Sequence, residues 1–230
     1  MFTINLAKQF KNKKILILEI NSENRDIEFL INNKNKKQIN NNTIKNNKLM
    51  NHNENEITIN SINKKINLFS QNNEIINEME ILKQIKNWKE KYDVILIDIE
   101  NEIKDYFSIL LEEIDKIIFL TEANILQIKK TKKLIEENIK KYKIENEKIN
   151  IIFNKIKKET LTINVLKSAF KNYNILGKIN DIKNCDLLIN NNMKTIFLNK
   201  KIKKQYQKIG NEILKNKNIK NYYLNKINNN

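Results

Sequence analysis

Val94-Ile95-Leu96-Ile97-Asp98 is the segment that decides the fold, because four consecutive apolar residues are followed directly by a carboxylate. A run this short and this continuously apolar is typical of a strand buried on both faces of a parallel sheet. Ligands of open parallel sheets bind at the carboxyl ends of the strands, where Asp98 would lie. Because Asp is also common there as a cap or turn residue, the segment alone leaves both roles open.

Further runs of the same kind lie along the chain, and amphipathic helical patterns separate them. The predicted strands are 14–20, 92–98, 116–121, 150–154 and 174–179, with a further strand or hairpin at 56–60 and 65–70. The predicted helices are 75–85, 103–114, 125–142, 161–170 and 202–214. Strands that alternate with helices indicate βαβ crossovers, so the predicted fold class is α/β, a doubly wound and mostly parallel sheet. We expect the apolar residues of these runs to form its core.

Length and composition favour one cytoplasmic domain. A chain of 230 residues can bury a sizeable core. We expect the α/β domain to cover 1–214, with an Asn/Lys-rich insertion at 32–55 and a low-complexity tail at 215–230. The single cysteine, Cys185, allows no internal disulfide and favours a reducing compartment. No apolar run approaches the roughly 20 residues that span a bilayer.

The net charge of +16 leaves two interpretations. Lysines that neutralise phosphates would make a nucleic-acid site, and two clusters are candidates. They are Lys129, Lys130, Lys132 and Lys133, and Lys200, Lys201, Lys203 and Lys204. However, Asn makes up about a fifth of the chain and Arg25 is the only arginine, which is the composition of an AT-rich gene. We therefore expect a solvated basic surface with weak DNA binding.

Polar residues at the other strand ends are the remaining candidates for chemistry. Glu19 and Asn21 end the first run, Glu122 ends the third and Asn154 ends the fourth. They are candidates because ligands of open parallel sheets bind at the carboxyl ends of the strands.

The order and spacing of these segments resemble the MinD/ParA family of P-loop ATPases, from about Phe2 to Leu214. Thr3-Ile4-Asn5-Leu6-Ala7 resembles the family's T-x-N-L-A helix, and 15–21 its strand ending in D-x-D. Four further matches follow in chain order. Residues 92–98 are similar to the motif YDxIxID, and residues 115–122 with the helix 125–135 are similar to a strand of the family and the helix that follows it. Residues 150–155 are similar to the strand whose Asn reads adenine, and residues 175–181 are similar to the motif ilG.IP.D.

The resemblance implies roles for individual residues. Asp98 matches the Walker B carboxylate, which holds Mg²⁺ through water, so it is assigned to the metal and catalytic sets. Glu19 and Asn21 match the D-x-D positions and complete the catalytic set. Asn154 matches the adenine-reading Asn, and Asn180 replaces the Pro of the last motif; both are assigned to cofactor binding. The implied cofactors are ATP and Mg²⁺.

The departures from the family pattern decide the expected activity. The family's K-G-G-x-G-K-[ST] loop needs glycines so that backbone N–H groups can cradle phosphates. This chain has only Gly177 and Gly210. Aligned on T-x-N-L-A, Met1 falls just after that loop, so we expect the first, central strand to be missing as well. Asn21 cannot replace the second Asp, which orients the attacking water. ATP hydrolysis is therefore not expected.

Two explanations stay open: a translated fragment whose start lies upstream, and a degenerate pseudo-ATPase retained as a binding module. In either case the resemblance implies a positioning or partition protein, with a pilus-localising (TadZ/CpaE-like) branch favoured by the degenerate motifs. Homodimers and a protein partner from a pilus, secretion or partition system are implied too. A DNA-binding partition protein is the alternative, and membrane binding through the C-terminal segment is not expected because asparagines interrupt its apolar face.

Overall fold

The computed structural model describes residues 2–20, 27, 56–61, 64–70, 78–99, 107–182 and 199–215. The described residues up to Glu113 form one compact unit, and those from Ile114 onward form a second. The predicted insertion at 32–55 lies outside the described residues, as does the tail except for Lys215. The one-domain organisation stays a prediction.

The described residues of the first unit form a four-stranded sheet and the helices that pack with it. In chain order its elements are α1 (Phe2–Ala7), β1 (Ile15–Ile20), β2 (Glu56–Ser61), β3 (Lys64–Ser70), α2 (Glu78–Lys91), β4 (Val94–Ile99) and α3 (Phe107–Glu113). The strand order is β2-β3-β1-β4. Strand β1 runs parallel to both of its neighbours, while β2 and β3 form an antiparallel hairpin. The hairpin confirms the expectation drawn from the two short runs.

The core of this unit is centred on β1. Ile15, Leu16, Ile17 and Leu18 are each at most 2% exposed, as the continuous apolar run predicts. Helix α1 packs against β1 and β4. Its residues Ile4, Leu6 and Ala7 are buried with them.

Where the structure describes it, the second unit has a three-stranded parallel sheet, β5-β6-β7, with helices between and after its strands. Its elements are β5 (Ile117–Glu122), α4 (Ile125–Tyr142), a 3₁₀ turn (Asn146–Lys148), β6 (Ile149–Ile156), α5 (Ile163–Ala169), β7 (Asn174–Asn180) and α6 (Lys200–Lys215). Helix α4 begins where the Asn124 side chain accepts a hydrogen bond from the Gln127 N–H. Parallel strands joined through helices confirm the α/β fold class.

Burial in β4 and β5 departs from the sequence expectation. Every residue of β4 is part-exposed, and in β5 the residues Ile117, Ile118 and Phe119 are part-exposed while Leu120 is 43% exposed. The expectation that these runs are buried like β1 is therefore wrong. The reason is position, because β4 and β5 are edge strands of their sheets among the described residues, and an edge strand is covered by a neighbour on one side only.

The described part of the chain contains no helix that is both long enough and apolar enough to cross a bilayer.

Candidate functional site

Glu19 and Asp98, two of the predicted catalytic residues, lie side by side. They are register partners at the carboxyl ends of the parallel strands β1 and β4. Neighbouring strands are about 4.8 Å apart, so the two carboxylate-bearing residues share one edge of the sheet. This juxtaposition follows from the strand pairing. Asn21, the third member of the set, lies outside the described residues, and the catalytic role of all three stays a prediction.

Asp98 is held by a residue that sequence reasoning did not assign to the site. The Thr3 hydroxyl on α1 donates a hydrogen bond of 2.7 Å to Oδ2 of Asp98. The two residues are 95 positions apart in sequence, so only packing of α1 against β4 brings them together. The signal for Thr3 was present in the T-x-N-L-A match, which identifies the helix but not the partner of its threonine.

Glu19 has a different environment from its neighbour. Its side chain is 1% exposed, and Oε1 accepts a hydrogen bond of 2.8 Å from the backbone N–H of Ile27. This hydrogen bond satisfies the buried carboxylate and ties Ile27 to the end of β1.

The donor set around Asp98 fits Mg²⁺ only in part. A part-buried carboxylate beside a threonine hydroxyl supplies the hard oxygen atoms that Mg²⁺ prefers. Among the described residues, no group of three or more His, Cys, Asp or Glu side chains could hold a metal by itself. Water and phosphate oxygens would have to complete the shell, so Asp98 would hold the ion only as one ligand among several.

The two glycines of the sequence both lie in regular elements of the second unit. A Cβ added to Gly177 of β7 would lie 2.9 Å from Cγ1 of Ile209 on α6. This glycine therefore permits close packing of the helix on the strand. Gly210 is buried within α6 itself. Neither residue lies in a loop that could surround phosphate groups.

Asn154, predicted to read adenine, lies at the carboxyl end of β6 beside Glu122 of β5, its register partner. Its Oδ1 accepts a hydrogen bond of 2.9 Å from the Lys155 N–H. Lys155 has a left-handed backbone with φ of 52°, and its Nζ lies 2.6 Å from Oε1 of Glu122. An amide oxygen has two lone pairs, so Asn154 keeps capacity for a further donor. Sequence reasoning missed Lys155, whose pairing depends on the strand register.

Asn180, the second predicted cofactor residue, ends β7 and is bound by a helix far along the chain. Its backbone N–H donates to Oε1 of Gln205 at 3.0 Å, and Nε2 of Gln205 donates to Oδ1 of Asn180 at 2.6 Å. This reciprocal amide pair fastens α6 to the end of β7. The cofactor role of Asn154 and Asn180 stays a prediction, and for Asn180 any ligand would compete with Gln205.

Comparison with known proteins identifies relatives in structure only. No protein-family model and no curated protein matches the chain. Solved structures do match it. A chain of the MinC:MinD cell division protein complex from Aquifex aeolicus has a TM-score of 0.67 and 16% identity, over 92% of this chain and 88% of that one.

Two further matches include bound nucleotides. A plasmid partition protein from Borrelia burgdorferi B31 bound to AMPPNP has a TM-score of 0.66 and 23% identity, over 93% of this chain and 92% of that one. The septum site-determining protein MinD of Pyrococcus horikoshii, complexed with Mg-ADP, has a TM-score of 0.58 and 13% identity, over 93% of this chain and 88% of that one.

The fold is therefore that of P-loop NTPases. Within that class it is the fold of MinD and ParA-type partition ATPases, which confirms at the level of fold the resemblance seen in the sequence.

Proposed function

We propose that this chain is a MinD/ParA-like positioning or partition protein whose ATPase site is truncated or degenerate, and that it acts by binding a protein partner rather than by hydrolysing ATP. Its partner would belong to a pilus, secretion or partition system, and its own assembly state would be a homodimer.

The proposal is supported by the contrast between an organised strand edge and a sequence that has no glycine-rich segment. The Thr3–Asp98 hydrogen bond and the Glu19–Asp98 register keep the carboxyl edge of a MinD/ParA fold organised. The sequence nevertheless has no glycine-rich segment, and its two glycines lie in β7 and α6. An organised strand edge in a sequence without a glycine-rich segment is the pattern expected of a truncated or degenerate ATPase site.

Titration calorimetry with ATP and Mg²⁺ tests the first half of the proposal. We expect no binding in the micromolar range, and sedimentation of the chain should be the same with and without the nucleotide. A plasmid partition protein that binds AMPPNP serves as the positive control. Micromolar affinity for ATP would mean that the chain binds phosphate groups without a glycine-rich loop.

A fluorescent fusion tests the second half. A positioning protein should collect at discrete sites in the cell, and co-purification from those cells should recover a stable protein partner. A uniformly diffuse fusion that recovers no partner would contradict the proposal.

Adding an N-terminal strand and a Walker A loop from a relative separates binding from hydrolysis. We expect the extended chain to gain ATP binding, which Asp98→Asn should then weaken. Turnover should stay slow until Asn21→Asp restores the second Asp of D-x-D, with little change in affinity. Equal turnover before and after Asn21→Asp would show that this position does not orient water.

DNA binding is the second candidate, and the exposed lysines favour it. Lys129, Lys130 and Lys133 are exposed on α4, and on α6 the exposed lysines include Lys200, Lys201, Lys203 and Lys204. Lys133 lies 3.7 Å from Glu137, which offsets part of its charge. Such faces attract phosphate backbones through counterion release.

Salt dependence distinguishes a dedicated site from a solvated surface. We expect a Kd of the order of 10⁻⁴–10⁻⁶ M for duplex DNA at physiological salt. Changing Lys129, Lys130, Lys132 and Lys133 to Gln should weaken binding no more than the same change at Lys200, Lys201, Lys203 and Lys204. Nanomolar affinity that is lost with only one of the clusters would favour the DNA-binding partition protein instead.

A further inference from the structure

We propose that Ile125, Leu126 and Val165 form a docking patch for an acidic segment of a partner protein, in which Asp or Glu residues flank large apolar side chains. The three side chains are 58%, 70% and 49% exposed. Among the described residues one other large apolar side chain is exposed, that of Leu120 on the edge strand β5. The patch would be the contact for the partner protein proposed above, so this inference rests on that function.

The three side chains of the patch lie at the same end of the second unit. The backbone N–H of Leu161 donates a hydrogen bond of 3.2 Å to the Ala123 carbonyl, and each patch residue follows one of these two residues by at most four positions. Strands β5, β6 and β7 are parallel neighbours in chain order. Successive right-handed crossovers in one direction place α4 and α5 on the same face of that sheet. Apolar side chains that cluster on a surface mark an interaction site, whereas scattered ones are ordinary.

Exposed lysines accompany the patch. Lys129 and Lys130 follow Ile125 and Leu126 by four residues on α4, so each lysine lies one helical turn from an exposed aliphatic side chain. Lys158 is exposed in the loop that leads to α5. Within the described parts of the chain, none of these three lysines forms an ion pair. Their charges are therefore available to a partner.

The carboxylates near the patch do not neutralise these lysines. Glu122 is paired with Lys155, and Asp181 is paired with Lys157. Glu159 is the one acidic residue in the loop 157–162. The surroundings of the patch therefore keep an excess of positive charge. A partner segment that carries carboxylates gains charge-assisted contacts there, whereas a basic segment is repelled.

Aliphatic side chains beside lysines favour a protein segment over other anionic partners. Nucleic-acid bases stack on aromatic rings, but the large apolar side chains exposed in the described chain are all aliphatic. A helix that binds a membrane surface presents an apolar face along its length, whereas α4 buries Ile128 and Ile135 and exposes apolar side chains only in its first turn. A second copy docked patch to patch would bring lysines against lysines.

A displayed library of random peptides of about 12 residues is the probe. The library is first depleted on the variant Ile125→Gln/Val165→Gln, which has the net charge of the wild-type chain, so that peptides held by charge alone are removed. It is then selected on the full wild-type chain. We expect the selected peptides to be enriched in Asp and Glu beside large apolar residues. No enrichment, or enrichment of uncharged or basic peptides, would overturn the proposal.

Titration of a selected peptide by fluorescence anisotropy tests the patch by its residues. Leu126→Gln should weaken binding roughly tenfold at an unchanged melting temperature, because Leu126 is 70% exposed. Changing Lys129 and Lys130 to Gln should weaken binding roughly three- to tenfold. The matched control changes Lys203 and Lys204, two exposed lysines of α6, to Gln and should leave the affinity unchanged. Equal losses from the two lysine pairs, or wild-type affinity in Leu126→Gln, would contradict the proposal.

The same Leu126→Gln variant identifies other occupants. Phosphatidylserine vesicles should sediment equal fractions of the wild-type chain and the variant, and vesicle binding that the variant loses would make a membrane the occupant. Self-association that the variant loses would make a second copy the occupant. Either result would overturn the proposal. Discrete foci of the wild-type fusion without a selected peptide would also overturn it while supporting the positioning function, because the two measurements are independent.

Discussion

Strands β1 and β4 are nearly identical in composition but differ in environment. Their sequences are Ile-Leu-Ile-Leu-Glu-Ile and Val-Ile-Leu-Ile-Asp-Ile, each with a carboxylate in the fifth position. In β1 the residues from Ile15 to Glu19 are buried, whereas every residue of β4 is part-exposed. The two strands are hydrogen-bonded neighbours. Strand β1 has a strand on both sides, whereas β4 has one among the described residues.

The second unit repeats the contrast. In β6, the middle strand, the residues from Ile149 to Phe153 are buried, whereas β5 at the edge leaves Leu120 43% exposed. A continuous apolar run therefore predicts a strand of a parallel sheet but not whether that strand is central. The same contrast predicts different energetic consequences for matched substitutions.

The largest expected effect on stability is the difference between alanine substitutions of two leucines, one in β1 and one in β4. Leu18→Ala in β1 removes a side chain that is 1% exposed and should lower the free energy of unfolding by about 3 kcal/mol. Leu96→Ala in β4 removes a part-exposed side chain and should cost about 1 kcal/mol. Denaturant unfolding of both variants measures the difference. Equal losses would show that β4 is covered as fully as β1.

A covered edge should behave differently from an open one. Strand β7 is also at an edge, but α6 packs against it, and a Cβ on Gly177 would lie 2.9 Å from Ile209 Cγ1. Gly177→Ala should therefore cost about 2 kcal/mol through overpacking. The double variant with Ile209→Ala should show a smaller loss than the sum of the two single variants. Strict additivity would mean that the two residues do not press on one another.

Replacing either of the two carboxylates at the strand ends should have a smaller effect on stability. Glu19→Leu leaves the buried Ile27 N–H without its acceptor and should destabilise the chain by about 1.5 kcal/mol. Asp98→Leu removes the part-buried Thr3 bond and should cost about 0.5 kcal/mol. Thermal unfolding of both variants checks the order. A larger loss at Asp98 would indicate that this carboxylate, and not Glu19, holds the edge together.

The smallest effect concerns the lysine that precedes β5. Partial burial lowers the pKa of Lys116 below its ordinary value of 10.5, and the nearby Asp115 offsets part of that. Between the lowered pKa and 10.5, the unfolded chain binds more protons than the folded chain. The charged form of Lys116 therefore destabilises the fold at neutral pH. This destabilisation fades as pH rises through that window.

Lys116→Met should therefore raise the melting temperature at pH 7, and its advantage should shrink by pH 10.5. Lys167→Met, at an exposed lysine of α5, is the control and should show no such trend. A benefit for Lys116→Met that is independent of pH would point to apolar packing instead of relieved desolvation.

Much of the candidate site could be predicted because strand ends are local features. A polar residue that follows an apolar run marks the carboxyl end of a strand, and parallel pairing brings such ends together, as it does for Glu19 with Asp98 and for Glu122 with Asn154. The roles of Thr3, Lys155 and Gln205 could not be predicted in this way. Each depends on contacts between segments far apart in sequence or on a register that no local pattern encodes.

By itself, the sequence determined the type and order of the elements and the fold class, because hydrophobic periodicity is set by neighbouring residues and the helix and strand periods differ. The tertiary structure decided which of two equivalent apolar strands is central, which carboxylate is buried, and which distant side chains bind the strand ends. These outcomes depend on non-local pairing. The burial of a side chain is a property of everything packed around it, and two strands with almost the same residues differ once one of them lies at the edge.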